Sequence, residues 1–323
     1  MKYYWKDIVD DNQQWKALEL TVEGLTKPTM QLLSGHNLKT KLVYNQIPLF
    51  WAKNKQYYYV DIIRTFSNDS RLLGSITSQD IEQRKDLNNA NYFKSWIVYF
   101  IERMLATNTH FFNNSLWQFK GYSKFISHSC YCESIVKSSS FSIYDKVYWG
   151  NDLIYSRQVD EYSGRFKWWR KKAIEGTLPP VFAWYIPSLG GYWIIDGNYR
   201  LRAAILEKKE ISVVLAYSGE YRETVVYEEF QKEILSTFDI IKKNKGEVSY
   251  STALALNQRL AEAFDDRPYF KNQTFARANI KSDQSWLDEI DNYLKSINYS
   301  EREELIEQFR DELSGEHYTL MGE

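Results

Sequence analysis

Apolar and polar positions follow two different periods along this chain, and the period changes near residue 222. Before that point, short runs of β-branched and aromatic residues, such as residues 57–63 and 181–186, are bounded by polar, turn-forming residues, which is typical of β-strands. After it, apolar residues recur with the helical period of about 3.6 residues. The pattern therefore predicts an α+β protein with a small mixed sheet and a helical C-terminal third.

These periods divide the chain into three expected regions. Residues 1–150 combine strand-like segments with one helix over residues 78–106, which Ser78 is placed to cap. In residues 151–222 the order is strand, turn, strand, tight turn, helix and strand. Residues 223–323 carry mainly helical patterns. We expect a mixed α/β region, a compact sheet-containing core and a helical region, in that order.

The composition is that of a globular protein. Of 323 residues, 44% are hydrophobic and 26% are charged, which argues against intrinsic disorder. Lys and Arg number 41 against 42 Asp and Glu, so the chain lacks the basic excess that is usual for a nucleic-acid-binding protein. The longest apolar run, residues 96–101, is far shorter than the roughly 20 residues of a membrane span. A polar start and only two cysteines lead us to expect a cytoplasmic protein with no membrane partner.

Charged and aromatic residues are unevenly distributed. Trp, Tyr and Phe number 11, 25 and 17, and aromatic side chains are enriched at interfaces as well as in cores. Residues 283–323 hold twelve acidic and three basic side chains, and residues 165–172 form a basic stretch with interleaved aromatics. Each is either a solvated face or a surface for a partner of opposite charge. The candidate partner-binding residues are Glu303, Glu304, Glu307, Trp168 and Trp169.

Few other patterns carry chemistry. His128, Cys130 and Cys132 bring three soft ligands close together, but a closed zinc site needs a fourth ligand and commonly has wider cysteine spacing. The chain has no Walker-type loop, Gly-x-Ser-x-Gly sequence or His-Glu-x-x-His sequence. We therefore expect no metal and assign no catalytic residue.

The most informative local sequence surrounds Asp196 and Gly197. An apolar strand ends at Asp196, Gly197 permits a tight backbone turn, and a helix follows. The free N–H groups and the positive dipole end of that helix suit an anion, above all a phosphate. Arg200 and Arg202 follow in its first turns and supply forked donors. Asp196 is placed to cap the helix, to hold Arg200, or to bind a metal or a hydroxyl group.

This sequence, Asp196-Gly-Asn-Tyr-Arg200 after an apolar strand and before two alanines, resembles the core of the ParB/sulfiredoxin-like family. The resemblance covers about residues 165–217. The family includes nucleotide-dependent DNA clamps, sulfinic-acid reductases and a free-serine kinase, and its common trait is phosphate binding at this turn. The resemblance implies a phosphate or nucleotide site at Asp196, Gly197 and Arg200.

The chain also departs from the family pattern, and the departures separate two hypotheses. Tyr199 stands where the family usually has a histidine, and the turn has no cysteine. These losses favour a non-catalytic binding protein without a cofactor, an immunity protein that neutralises a cognate bacterial toxin on a degenerate scaffold. The alternative is a nucleotide-binding phosphotransferase or nucleotide hydrolase, with Asp196 as base or metal contact and with Gly197 and Arg200 on the phosphate.

Overall fold

The computed structural model describes residues 2–25, 28–55, 59–66, 73–106, 114–124, 141–148, 152–224, 228–243, 249–274, 276, 278–280 and 282–314. The chain divides into two compact units. The first comprises Met1–Ser218 and Gln273–Glu323, and the second comprises Gly219–Asn272. The three soft ligands noted in the sequence lie outside the described residues; they are His128, Cys130 and Cys132.

Strands and helices alternate irregularly along the chain. The strands are β1 (Lys2–Val9), β2 (Trp15–Glu23), β3 (Met30–Gly35), β4 (Lys39–Tyr44), β5 (Ile47–Asn54), β6 (Tyr59–Arg64), β7 (Ser115–Tyr122), β8 (Tyr144–Tyr148), β9 (Leu153–Ile154), β10 (Val181–Ile186), β11 (Gly191–Asp196), β12 (Val213–Arg222), β13 (Tyr269–Asn272) and β14 (Ala278–Asn279). The helices are α1 (Ser78–Glu82), α2 (Asn89–Ala106), α3 (Gly164–Ile174), α4 (Asn198–Leu206), α5 (Glu228–Lys243), α6 (Tyr250–Ala263), α7 (Asp283–Ser296) and α8 (Arg302–Ser314). The α+β class and the helical C-terminal part that the sequence predicts are confirmed.

The first unit contains two sheets. One has the strand order β1-β2-β7-β12-β10-β11-β9 and is mixed, because β10 runs antiparallel to β11 and parallel to β12. The other has the order β14-β3-β4-β5-β6-β8. The first sheet is larger than the small sheet expected from the sequence, and it crosses the expected boundary at residue 150. The cause is that β7 pairs with β2 and lies beside β12, and these contacts between distant parts of the chain are not revealed by a local period.

Helix α2 lies in the main hydrophobic core, which also contains buried residues of both sheets. Phe93, Trp96 and Phe100 on α2 are almost fully buried, as the helical spacing of its apolar residues requires. Phe100 stacks on Phe182 of β10, with ring centroids 4.9 Å apart. Because β10 pairs with β11, the strand that leads into the turn at Gly197, this packing helps to fix the sheet from which that turn projects.

The predicted helix over residues 78–106 is in fact two helices, and Thr77 rather than Ser78 caps the first. The Thr77 hydroxyl accepts a hydrogen bond from the backbone N–H of Asp80 at 3.2 Å. The Asp80 carboxylate accepts one in return from the Thr77 N–H at 2.7 Å. This reciprocal capping box places the cap one residue earlier than the sequence suggested, while α1 itself begins at Ser78.

The C-terminal helices α7 and α8 pack on the second sheet through Trp286, Ile290 and Phe309. A buried ionic cluster adds to this packing: Lys55 pairs with Glu312 of α8 and with Asp61 of β6. Burial raises the pKa of Asp61, although its carboxylate also accepts a hydrogen bond from the Tyr144 hydroxyl at 2.7 Å.

The second unit is a helical hairpin with a two-stranded ribbon. Residues 219–222, the end of β12, pair antiparallel with β13, and α5 packs against α6 with Ile234 and Ala263 buried. The side chain of Gln231 donates to the carbonyl of Ala263 at 3.1 Å and links the two helices. Among the described residues, no helix has the length and apolar character needed to cross a membrane.

Candidate functional site

The turn between β11 and α4 has the geometry that its sequence predicts. Gly197 adopts a φ of 119° and a ψ of 11° between the end of the strand and the start of the helix. A Cβ atom added there would lie 3.0 Å from Nη2 of Arg200 and 3.1 Å from Cα of Val181. Glycine is therefore required both by the left-handed backbone conformation and by the close approach of β10.

Arg200 is held across this turn by several groups. Its Nη2 atom donates to a carboxylate oxygen of Asp196 at 2.9 Å and to the carbonyl of Pro180 at 3.0 Å. Its guanidinium carbon lies 5.3 Å from the ring centroid of Trp169, a cation–π distance. Arg200 is only 2% exposed, and its Nε–H has no hydrogen-bond partner among the residues that the structure describes. A buried donor without a partner is costly and calls for an explanation.

The turn borders a cleft of about 540 Å³. We call it the arginine cleft, because three arginines line it. Its lining residues include Arg157, Arg165 and Arg200, the acidic Asp160 and Asp196, the hydroxyl-bearing Ser75 and Ser163, the aromatic Trp169 and Tyr199, and Gly197 of the turn. The cleft thus combines positive charge, hydroxyl groups and aromatic surface.

Two helices begin at this cleft. Ser163 caps α3, with its hydroxyl accepting a hydrogen bond from the Phe166 N–H at 3.2 Å, and Gly197 occupies the same position for α4. Both residues line the cleft, so the positive ends of two helix dipoles act on it. Such ends stabilise a bound anion.

Arg165 joins the cleft to the loop before α1. Its Nη2 atom donates to the carbonyl of Ile76 at 2.7 Å, and its guanidinium carbon lies 4.6 Å from the ring centroid of Trp169. Trp169 therefore lies next to both Arg165 and Arg200. The charge of Arg200 also reaches Tyr92: burial raises the pKa of that hydroxyl to about 12, while Arg200 acts in the opposite direction.

Not every residue that the sequence proposed for phosphate lies in the cleft. Asp196, Gly197 and Arg200 come together there, but Arg202 lines a neighbouring pocket and donates to Glu161 at 2.6 Å. Two residues along an α-helix correspond to a rotation of about 200°, so Arg200 and Arg202 project from nearly opposite faces of α4. The structure therefore does not bring Arg200 and Arg202 together around one ligand, as the sequence led us to expect.

The partner candidates fall into two groups. Trp169 is 3% exposed, and Trp168 is half-buried against the core. Neither offers a large exposed ring to a partner, because the basic stretch turns its tryptophans inward while Lys167 and Lys171 remain exposed. By contrast, Glu303, Glu304 and Glu307 are all exposed on α8, since Leu305, Ile306 and Phe309 occupy the buried side of that helix.

The sequence did not identify Arg157 and the loop around Ser75 as parts of the site. Both come from irregular segments that are distant in sequence from the turn, and neither carries a motif. Arg165 was noticed as part of the basic stretch, but not as a neighbour of Arg200. Among the described residues, no group of three His, Cys, Asp or Glu side chains has the arrangement to hold a metal ion.

Comparison with known proteins adds no family to this description. No protein-family model, curated protein or solved structure matches the chain. The resemblance to the ParB/sulfiredoxin-like family therefore rests on the residues of the turn and its flanking elements, and it stays a prediction.

Replacing Gly197 by alanine tests the geometry of the turn. We expect Gly197→Ala to lower the free energy of unfolding by about 1–3 kcal/mol, because the left-handed conformation is strained for alanine and the added Cβ atom meets Val181. Chemical denaturation measures this change. Gly164→Ala is the control, since a Cβ atom there meets no atom within 4 Å. Equal stability of both variants would contradict the geometry.

Proposed function

We propose that the chain is a binding protein whose arginine cleft takes a small phosphate-bearing ligand. The observation that carries this proposal is the buried Arg200, which lines the cleft with an Nε–H that has no partner among the described residues. Arg157, Arg165 and two helix N-termini border the same space. Guanidinium groups and helix N-termini are the groups that most commonly bind phosphate in proteins.

The class of ligand that we propose is a nucleotide. Tyr199, which is half-buried, lines the cleft beside the arginines, and an aromatic ring of this kind can stack on a base. The resemblance to the ParB/sulfiredoxin-like family, whose members bind phosphate at this turn, points to the same class. Phosphate would be held by charge, and the base would be held by aromatic contact.

Binding is a better proposal than catalysis. The Asp196 carboxylate already accepts a hydrogen bond from Arg200 at 2.9 Å, so its arrangement suits positioning of Arg200 more than removal of a proton from a substrate. Tyr199 lacks the acid–base chemistry of the histidine that the family has at this position. Its hydroxyl accepts a hydrogen bond from the Asp160 N–H at 3.1 Å. Phosphate transfer by Asp196 remains the alternative proposal, which turnover of a nucleotide by the purified protein would support.

Replacing one cleft arginine tests this proposal. We expect ATP, CTP or GTP to bind the wild-type protein in calorimetric titrations, and Arg165→Gln to weaken binding about 10- to 100-fold, because a charge-assisted hydrogen bond to phosphate contributes about 1.5–3 kcal/mol. Arg170→Gln is a matched control: it lies on the same helix, but pairs with Glu207 and does not line the cleft. Absence of binding to the wild type, or equal loss in both variants, would reject the proposal.

A second function is favoured by the acidic face of α8. Glu303, Glu304 and Glu307 point into solvent on a helix whose apolar side is buried. We propose that this face binds the basic surface of a partner protein, and that the partner is a cognate toxin that the chain neutralises. Opposite charges would mainly accelerate the encounter of the two proteins.

Charge reversal tests the toxin proposal. Where a toxin gene lies directly upstream of the gene for this chain, we expect the wild-type chain to restore growth of cells that express that toxin. We expect the triple variant Glu303→Lys, Glu304→Lys, Glu307→Lys to lose most of this protection while remaining folded. Three exposed glutamates of α5, Glu228, Glu229 and Glu233, provide the matched control when they are changed to lysine. Full protection by the α8 variant would exclude this face as the binding surface.

A further inference from the structure

A second pocket, of about 560 Å³, lies on the other side of Tyr199 from the arginine cleft. Tyr199 and Asp160 line both cavities. We call the second cavity the tyrosine pocket. The residues that characterise it are Phe141, Tyr155, Glu161, Tyr162, Tyr199 and Arg202. Its chemistry differs from that of the cleft, because aromatic and acidic side chains predominate over arginine.

One guanidinium group and two carboxylates lie in the wall of the tyrosine pocket, so a carboxylate is in excess. Arg202 donates from Nε to a carboxylate oxygen of Glu161 at 2.6 Å, and the Arg202 side chain is 17% exposed. Asp160 adds a further carboxylate to the wall. An anionic ligand would be repelled by the two carboxylates, while a cation would meet the guanidinium group. The pocket therefore suits an uncharged ligand that can both donate and accept hydrogen bonds.

Tyr155 lines the same pocket, and its hydroxyl group is buried. Tyr155 is 1% exposed, and its hydroxyl has no hydrogen-bond partner among the described residues. The charges of Arg202 and Glu161 act on this hydroxyl, whose pKa is raised chiefly by burial. Tyr155 therefore lies next to that ion pair. A buried polar group of this kind is normally paired, and a ligand hydroxyl would supply the missing partner.

Aromatic rings complete the walls. Tyr162 is 90% exposed, an unusually high value for so large a ring, and Phe141 and Tyr199 are half-buried. The position of Tyr199 is fixed by the hydrogen bond from the Asp160 N–H to its hydroxyl, at 3.1 Å. The Arg157 guanidinium lies 5.4 Å from its ring centroid. The Tyr162 ring would lose contact with water if a ligand covered it, which favours binding of an apolar ring face.

From these features we propose that the tyrosine pocket binds a sugar. Hydroxyl groups of a sugar both donate to carboxylates and accept from tyrosine or arginine, and the C–H faces of the ring pack on aromatic side chains. The sugar is either free or part of a phosphate ester, because the two cavities meet at Tyr199 and Asp160. Occupation of the pocket does not require the arginine cleft to bind phosphate.

Titration of the full chain with neutral sugars tests this proposal. The probes are glucose, galactose, mannose, ribose and N-acetylglucosamine. Binding of each is measured by ligand-observed NMR. We expect at least one to bind, Tyr155→Phe to weaken that binding about 5- to 10-fold through loss of one hydrogen bond, and Tyr162→Ala to weaken it by a similar factor. Tyr4→Ala, at a 59% exposed tyrosine of β1, leaves binding unchanged. Circular dichroism confirms that each variant is folded.

Three results would overturn the proposal: no probe binds the wild-type protein, binding is unchanged in both pocket variants, or choline binds in place of every sugar. A further titration with glucose 6-phosphate separates this site from the cleft. If glucose 6-phosphate loses binding in Arg165→Gln but not in Tyr155→Phe or Tyr162→Ala, the cleft binds phosphate and the pocket binds nothing. Binding of a free sugar without binding of any phosphate compound supports the pocket and rejects the cleft.

Discussion

The ion pair between Asp196 and Arg200 is the interaction on which the candidate site depends. It joins the end of β11 to the first turn of α4, and the bond from Arg200 to the Pro180 carbonyl adds the start of β10. Only glycine at position 197 lets these backbones approach so closely. Breaking the pair would leave a buried charge uncompensated, which costs several kcal/mol. The pair therefore fixes the place where the helix begins and the direction of its N-terminus.

The fixed turn explains why the proposed activity is binding. Arg200 is held by Asp196, stacked near Trp169 and left with an Nε–H that lacks a partner among the described residues. A group already oriented in the free protein loses little conformational freedom when a ligand arrives, which favours affinity. The same bond engages the only acidic side chain of the turn. Charge, helix dipoles and aromatic surface thus support the proposed binding of an anion.

Local features of the site could be predicted from the sequence, and distant ones could not. The hairpin of β10 and β11 and the turn at Gly197 could be predicted from local features. These are two apolar runs, a glycine and the helical spacing that follows it, all within a few dozen residues. Arg157 joins the cleft from a loop with no motif, so no sequence pattern predicted its place in the site. Arg202 shares a helix with Arg200, but its position two residues later turns it toward the tyrosine pocket. The pairing of β2 with β7 in the first sheet, and of β3 with β14 and β6 with β8 in the second, joins segments that are far apart in sequence, which local periods do not reveal.

The Nε–H signal of Arg200 in an ¹⁵N-correlated NMR spectrum tests the central claim most directly. The signal is assigned by its loss in Arg200→Lys and is followed during titration with inorganic phosphate and then with a nucleotide. The account predicts a saturable shift of this signal, with slower exchange of its proton with water, because the donor gains a partner. An Arg200 signal that stays unchanged while the ligand binds elsewhere, or while no ligand binds, would contradict it.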